Sequence, residues 1–233
     1  MLSQAAKLKR VALDLLYPKW CVGCGKEGDF ICNSCCQSLL RIIPPLCPRC
    51  GSPQASGILC SNCVSWLAVI EGIRSPFQFD GVMRKAIHQL KYKNLRAIAE
   101  PLAGLLNDCF TAHYIPADVL VPVPLHSKRL RKRGYNQSGL LAHELAKLAG
   151  LPVIDGCLIR KRLAQPQAKT QSVKERRGNV TDAFVCQDNR LKGSQVLLID
   201  DVTTSGATLD ACAAALKDAG AASVWGLVLA REL

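Results

Sequence analysis

The sequence predicts an α/β protein: a doubly wound parallel sheet flanked by helices, with a small cysteine-rich zinc-binding domain in front of it. Three observations carry that expectation. Beyond Trp66, short and wholly apolar runs alternate with helical segments of ten or more residues, the pattern in which strands run parallel and are buried on both faces. Before residue 64, eight cysteines fall into four C-x-x-C pairs. A chain of 233 residues, 49% hydrophobic and 21% charged, can fill one core and still carry an appendage. No window supplies the ~18 uninterrupted apolar residues that a membrane span needs.

The chain begins MLSQAAKLKRVALDLLYPKW, with basic residues ahead of an apolar run. Asp14 interrupts that run, Pro18 ends it, and no small-residue cleavage site follows, so a short amphipathic helix is expected rather than a secretory leader. The cysteine pairs come next: CVGC (Cys21, Cys24), CNSC (Cys32, Cys35), CPRC (Cys47, Cys50) and CSNC (Cys60, Cys63). Two thiolates three residues apart on a tight turn chelate one tetrahedral zinc ion, and Gly25 and Gly51 suit the turn that follows. Four pairs make two structural sites, each a closed sphere of four thiolates with no open position for water. Sequence neighbours are expected to pair, Cys21, Cys24, Cys32 and Cys35 in one site and Cys47, Cys50, Cys60 and Cys63 in the other; a crossed arrangement uses the same ligands. Cys36 is a spare thiol or an alternative ligand. Disulfides are the rival reading, disfavoured by the odd total of 13 cysteines and the missing secretory signal. Cys109, Cys157, Cys186 and Cys212 lie on apolar segments and read as inert core residues.

Phe77–Phe79 reads as a short strand, Gly81–Leu90 and Leu95–Phe110 as helices, and Asp118–Leu125 (DVLVPVPL) as a buried strand that stops at prolines. Asn136–Ala149 is helical with Gly150 as its stop. Val196–Ile199 is a second buried strand, Thr208–Ala219 a helix ended by Gly220, and Ser223–Ala230 the last strand. In doubly wound sheets ligands sit beyond the carboxyl ends of the strands, where Asp200 and Asp201 fall.

Charge is concentrated. Of the formal +12, residues 120–180 contribute +10 through 13 Lys and Arg against Glu144, Asp155 and Glu175. Such a field suits a polyanionic ligand, a di- or triphosphate or a nucleic acid, and its bland alternative is a solvated face that keeps the protein soluble.

Val196–Leu209, VLLIDDVTTSGATL, ends an apolar run on two acids and follows them with small hydroxyl residues. A Walker B strand would need a G-x-x-x-x-G-K-[ST] partner, and the chain has none. A phospho-acceptor pocket leaves TTSGAT unexplained. Hydroxyls and Gly206 at a helix N-terminus, by contrast, offer amide donors and a positive dipole end to a phosphate monoester, while carboxylates one turn away accept hydrogen bonds from vicinal sugar hydroxyls.

This stretch resembles the phosphoribosyl-pyrophosphate (PRPP) motif of type I phosphoribosyltransferases. Together with the four C-x-x-C pairs, HQLKYKN (88–94), VPVPLHSKRLRKRGYNQ (121–137) and QAKTQSVKERRGNVTDAF (167–184), it makes the chain similar to the ComF family of competence-associated, phosphoribosyltransferase-like proteins. The similarity runs from about residue 17 to 233, with Tyr135 in place of the usual phenylalanine and Ala164 in place of a frequent threonine.

The residues themselves give an N-terminal helix over 1–17 and a double zinc-binding domain over 18–66, and the resemblance implies a type I phosphoribosyltransferase-like domain over 72–233. It implies Asp200 and Asp201 as the catalytic acids on the ribose 2- and 3-hydroxyls, and Thr203, Thr204, Ser205, Gly206, Ala207 and Thr208 as the 5-phosphate cradle. Pyrophosphate falls to Val123, Pro124, Leu125, His126, Lys128, Arg129 and Arg133. Lys169, Arg176 and Arg177 belong to a flexible loop, within 160–180, that closes over PRPP. Lys91 and Tyr92 are weaker candidates, a surface lysine and a core tyrosine by default. Structural zinc and Mg²⁺ with PRPP are the implied cofactors, the latter stabilising the departing pyrophosphate. The implied function is a cytoplasmic PRPP-binding protein acting in DNA uptake, with single-stranded DNA or uptake proteins as partners. The alternative is a phosphoribosyltransferase of nucleotide metabolism with an unidentified acceptor.

Overall fold

A computed structural model describes residues 18–161 and 183–233. The amphipathic helix expected over 1–17, and Ala164, Lys169, Arg176 and Arg177 of the expected loop, lie outside the described residues. In chain order the elements are α1 (Asn33–Gln37), α2 (Ser61–Val64), β1 (Gly72–Arg74), β2 (Phe77–Gln78), α3 (Gly81–Tyr92) and, after a 3-10 turn at Arg96–Ile98, α4 (Ala99–Ala112). There follow β3 (Val119–Pro122), α5 (Ser127–Arg133), α6 (Gln137–Ala149), β4 (Leu158–Arg160), β5 (Phe184–Cys186), β6 (Gln195–Thr203), α7 (Ala207–Asp218) and β7 (Ser223–Arg231).

Among the described residues the main sheet runs β1–β7–β6–β3, with β2 extending the same edge of β7. Every pairing in it is parallel, with Leu197 opposite Trp225 and Val121 opposite Leu198. Parallel order follows from the connections, since each strand reaches its neighbour through a helix rather than a tight turn. Alternate residues of β6 serve opposite layers. Val196 and Leu198 pack on one side with Leu209, Cys212 and Leu216 of α7 and with Leu158 and Phe184 of the antiparallel pair β4–β5. Leu197 and Ile199 pack on the other with α3, α4 and α6.

Two differences from the sequence reading bear on the site. β6 does not stop at Ile199 but continues through Asp200 and Asp201 to Thr203, because its neighbour β7 runs equally far and pairs Asp200 with Val228 and Thr203 with Arg231. The acids are therefore held on ladder backbone rather than in a loop. The basic run after β3, given no element in the sequence reading, forms one short helix, Ser127–Arg133, closed by Gly134 in the left-handed conformation.

The cysteine-rich region is an internal repeat. In each half the third cysteine, Cys32 or Cys60, caps a short helix with extended backbone, and its amide points at the first cysteine's sulfur, at 3.4 Å for Cys21 and 3.5 Å for Cys47. Gly25 and Gly51, both at positive φ, close the first knuckle of each half. The first repeat lies on the α3 side, where Val22, Phe30, Ile31 and Cys36 pack against that core, and the second lies on the α7 side, its four cysteines buried with Trp66, Ile70 and Ile73.

Tyr135, the departure from phenylalanine, uses its hydroxyl: buried under the Arg96 guanidinium at 4.5 Å, it donates to the Leu90 carbonyl near the end of α3. Tyr135→Phe is expected to lower stability by about 1 kcal/mol by leaving that carbonyl unpartnered, read as a drop in the urea midpoint with unchanged slope.

Candidate functional site

The site is built at the carboxyl ends of β3 and β6. Asp80 caps α3 through its side chain, accepting from the Gly81 amide at 2.7 Å. Met83, Ala86, Ile87 and Leu90 then form the buried stripe of the helix, spaced for one face. That stripe fixes the rotation of the last turn and brings Lys91 over β6. Its Nζ lies 2.7 Å from Asp201 Oδ2. Asp201 is 3% exposed, so this is a nearly dry ion pair, and breaking one would leave a buried charge uncompensated.

Asp200 has a different environment. Its Oδ1 accepts from Ser138 Oγ at 2.8 Å and from the Asp201 amide at 2.9 Å. Burial first, and the neighbouring Asp201 charge second, push its carboxyl up to about 7, against those hydrogen bonds and the more distant Lys91. Asp201 is therefore ion-paired with a lysine, whereas burial and its neighbour raise the Asp200 carboxyl, which a cation or donor would relieve.

Past Thr203 the chain turns through Thr204 and Ser205 to Gly206, which caps α7 at φ 78°. Ser205 Oγ accepts from the Ala207 amide at 3.4 Å, and the first-turn amides of a twelve-residue helix face the turn. Opposite, the Val123 amide donates to the Ile199 carbonyl at 3.0 Å, and the Asn136 side chain both donates to the Val123 carbonyl and accepts from the Ser138 amide. Asn136 thereby locks the β3 exit to the start of α6. His126 Nδ1 accepts from the Lys128 amide at 3.2 Å and caps α5. Lys128, Arg129, Arg131 and Lys132 are exposed. A cleft of about 410 Å³ is lined by Lys91, Tyr92, Asn94, Arg129, Lys132, Arg133 and Tyr135; Arg133 lies over the Tyr92 ring at 5.4 Å and donates to Gln137. Lys91 thus belongs both to the acid pair and to this cationic cleft.

The thiols form two clusters, Cys21, Cys24, Cys32 and Cys35, and Cys47, Cys50, Cys60 and Cys63, with all sulfurs in each within 4.8 Å of one another. Sulfurs 3.6 Å apart (Cys24–Cys32) and 3.7 Å apart (Cys50–Cys60) match the edge of a tetrahedron with ~2.3 Å metal–sulfur bonds and are far beyond the ~2.05 Å of a disulfide. The pairing is between sequence neighbours, and Cys36 stands outside it. Each cluster also needs a cation. Against burial, backbone amides hold Cys21 and Cys47 down at about 6, while the Cys21 sulfur pushes Cys35 up to about 12 and burial pushes Cys63 higher still. Four thiolates cannot coexist there without a metal charge, and the donor set fits zinc. Outside the clusters, burial pushes Cys109 and Cys157 up to about 12 and Cys212 well above the ordinary range.

Residues 12–64 match the model of the double zinc ribbon domain, and residues 130–232 that of the phosphoribosyl transferase domain. Competence protein ComFC of Bacillus subtilis is 30% identical over 215 residues, 89% of this chain and 86% of that protein. The chain belongs to the ComF family. Competence protein F of Haemophilus influenzae, also 30% identical, matches over 90% of this chain and 96% of its own length. DNA utilization protein YhgH of Salmonella typhimurium is 32% identical, with coverages of 87% and 91%. The sheet described above is accordingly a phosphoribosyl transferase-type domain with a zinc ribbon pair in front.

In this ComF-family chain the exits of β3 and β6 lie side by side, with the Val123 amide on the Ile199 carbonyl, and Lys91 links Asp201 to the cleft that Arg129, Lys132 and Arg133 line. Sequence reasoning missed Ser138 and undervalued Lys91. Lys91 is not a solvated surface lysine, because the buried stripe of α3 drives it onto Asp201. Tyr92 is not a core residue but 65% exposed, since it follows Lys91 past the end of that stripe. The spacing of Met83, Ala86, Ile87 and Leu90 could have flagged both.

Because the folded state raises the Asp200 carboxyl above its unfolded value, its contribution to stability is complete below about pH 4 and is lost as pH rises toward 7. Asp200→Asn should remove that loss. Without ligand, its stability relative to the parent is expected to be near zero at pH 4 and to favour the variant by on the order of 2 kcal/mol at pH 8, measured by denaturant titration at each pH.

Proposed function

We propose that this crevice binds PRPP and that the protein uses it in DNA uptake. Asp200 and Asp201 take the ribose 2- and 3-hydroxyls, Thr203, Thr204, Ser205, Gly206, Ala207 and Thr208 take the 5-phosphate, and Val123–Leu125, His126, Lys128, Arg129 and Arg133 take the pyrophosphate. The observation that carries this reading is the uninterrupted passage from the acid-bearing strand β6 into a glycine-capped turn at the start of α7. That passage sets amide donors and a helix N-terminus a few residues from two carboxylates, the spacing of a phosphate and the hydroxyls of one pentose.

Mg²⁺ bound with PRPP would supply charge neutralisation for the pyrophosphate while taking few ligands from the protein; Asp200, with no ion-paired lysine among the described residues, suits such a cation. The chain's own residues orient the pentose through Ser138-braced Asp200 and Lys91-held Asp201, and surround the anionic end with Arg129, Lys132 and Arg133. The names of the competence and DNA utilization relatives support the DNA role, and the exposed basic residues of α5 offer phosphate contacts. Two thiolate-rich clusters suit a reducing compartment such as the cytoplasm.

A second reading, turnover, is favoured by the cleft of about 410 Å³ lined by Lys91, Arg129, Lys132 and Arg133, a cationic setting for a leaving group. Departing pyrophosphate would then be stabilised by the same cations.

Calorimetry with PRPP and Mg²⁺ should give binding to the parent and a loss of at least ~30-fold, about 2 kcal/mol, in the Asp200→Ala/Asp201→Ala double variant at unchanged circular dichroism. Equal affinity in both would remove the site assignment. Pyrophosphate release across a panel of bases, amines and single-stranded DNA decides turnover: release with one acceptor favours the enzyme, and none with any favours a binding module.

A further inference from the structure

The second cysteine repeat and the segment that follows it are tied to the turn Thr203–Thr208 and the first turn of α7 by three contacts. Arg231, the last residue of β7 and 3% exposed, donates through Nη1 to the Thr204 carbonyl at 3.1 Å and through Nη2 to the Cys50 carbonyl. Asp210, in the first turn of α7, accepts from Trp66 Nε1 at 3.2 Å and from the Val69 and Ile70 amides at 2.8 and 3.0 Å. Gly206 has no room for a side chain: a Cβ there would lie 2.8 Å from Ile73 and 3.0 Å from Trp66. Arg49, between Cys47 and Cys50, donates to the Cys63 and Trp66 carbonyls while its own carbonyl accepts from the Ile73 amide at 2.7 Å.

The electrostatics run the same way. A zinc ion with four thiolates carries a net charge near −2. Arg231, buried with one guanidinium nitrogen on the Cys50 carbonyl and another on the Thr204 carbonyl, sets a cation beside the zinc site as well as a donor on the turn. The first cluster has a different attachment: Lys85 of α3 donates to the Gly23 carbonyl at 3.2 Å, and Gly23 packs against Val82.

We propose that Arg231 is a positioning residue that couples zinc loading of the Cys47, Cys50, Cys60 and Cys63 cluster to the order of the turn Thr203–Thr208, and through it to the grip on a phosphate ester. The ligand half of this statement rests on the reading of that turn as the PRPP 5-phosphate cradle; the coupling half does not. When the cluster opens, the Cys50 carbonyl moves, Arg231 loses one of its two anchors, and the Thr204 carbonyl and Trp66–Asp210 contacts loosen with it. Coupling between two sites is reciprocal, so a ligand in the turn slows loss of zinc from this cluster.

The test uses the full zinc-loaded chain. Hydrogen exchange is followed by mass spectrometry on peptides covering 203–208, and zinc release to a chelator is followed with and without PRPP and Mg²⁺. The parent is expected to release two zinc ions per chain, one of them at least threefold slower with PRPP. Arg231→Met is expected to speed exchange of the turn at least tenfold without ligand and to abolish the protection, with Arg231→Lys intermediate because it keeps the charge but not the two-carbonyl reach. Cys24→Ser, in the first cluster, is expected to leave the turn unchanged. If Arg231→Met does not fold, removal of the second-cluster zinc from the parent must produce the same faster exchange. Unchanged exchange in these arms, or equal loosening by Cys24→Ser, overturns the coupling. Faster exchange with no effect of PRPP on zinc release, and no PRPP binding in calorimetry, upholds the coupling and overturns the ligand reading; the same null effect with PRPP bound overturns the link between zinc and ligand grip.

Discussion

Two adjacent carboxylates at the end of a strand buried on both faces are an electrostatic liability, and the ion pair between Lys91 and Asp201 is what makes them tolerable. With Asp201 compensated at 2.7 Å, the second acid can remain close by only by holding a proton or by waiting for an external cation, and its carboxyl is raised to about 7. That division of labour gives the crevice its character. One acid is anchored by its lysine partner, and the other, with its carboxyl raised, responds to what binds.

The ion pair in turn depends on how α3 is docked, and the rest of the architecture can be understood as two braces on the crevice. The first cysteine cluster packs beside the start of α3, through Lys85 to Gly23 and through Val22 and Phe30, and so steadies the helix that delivers Lys91. The second cluster packs beside the start of α7, through Arg231, Trp66 and Gly206, and steadies the turn that follows the acids. A duplicated ribbon thus supports the two sides of one site with the same knuckle geometry. Each layer of the sheet receives one repeat.

The sequence made the strands and the cysteine clusters legible because their signals are local: runs of apolar residues, two-residue spacings between thiols, glycines at stops. The acids and the hydroxyl-rich turn were legible for the same reason. What escaped was set by distant partners. The continuation of β6 through Asp200 to Thr203 depends on hydrogen bonds from β7, which no property of two aspartates announces. β1 (Gly72–Arg74) is three residues long and contains a glycine and an arginine, so it exists only as an edge against β7. The helix Ser127–Arg133 has a single apolar residue and therefore no periodicity to detect. Lys91 and Asp201 are brought together across the whole domain, and only the rotation of α3, not the lysine itself, reveals the contact.

The most direct test is a double-mutant cycle of Lys91→Met and Asp201→Asn at pH 8, with stability from denaturant titration. Lys91→Met alone is expected to cost about 3 kcal/mol by stranding a buried carboxylate, and most of that loss should return when Asp201→Asn is added. A cost under ~0.5 kcal/mol for Lys91→Met, or strict additivity of the two changes, would contradict the claim that this pair holds the site together.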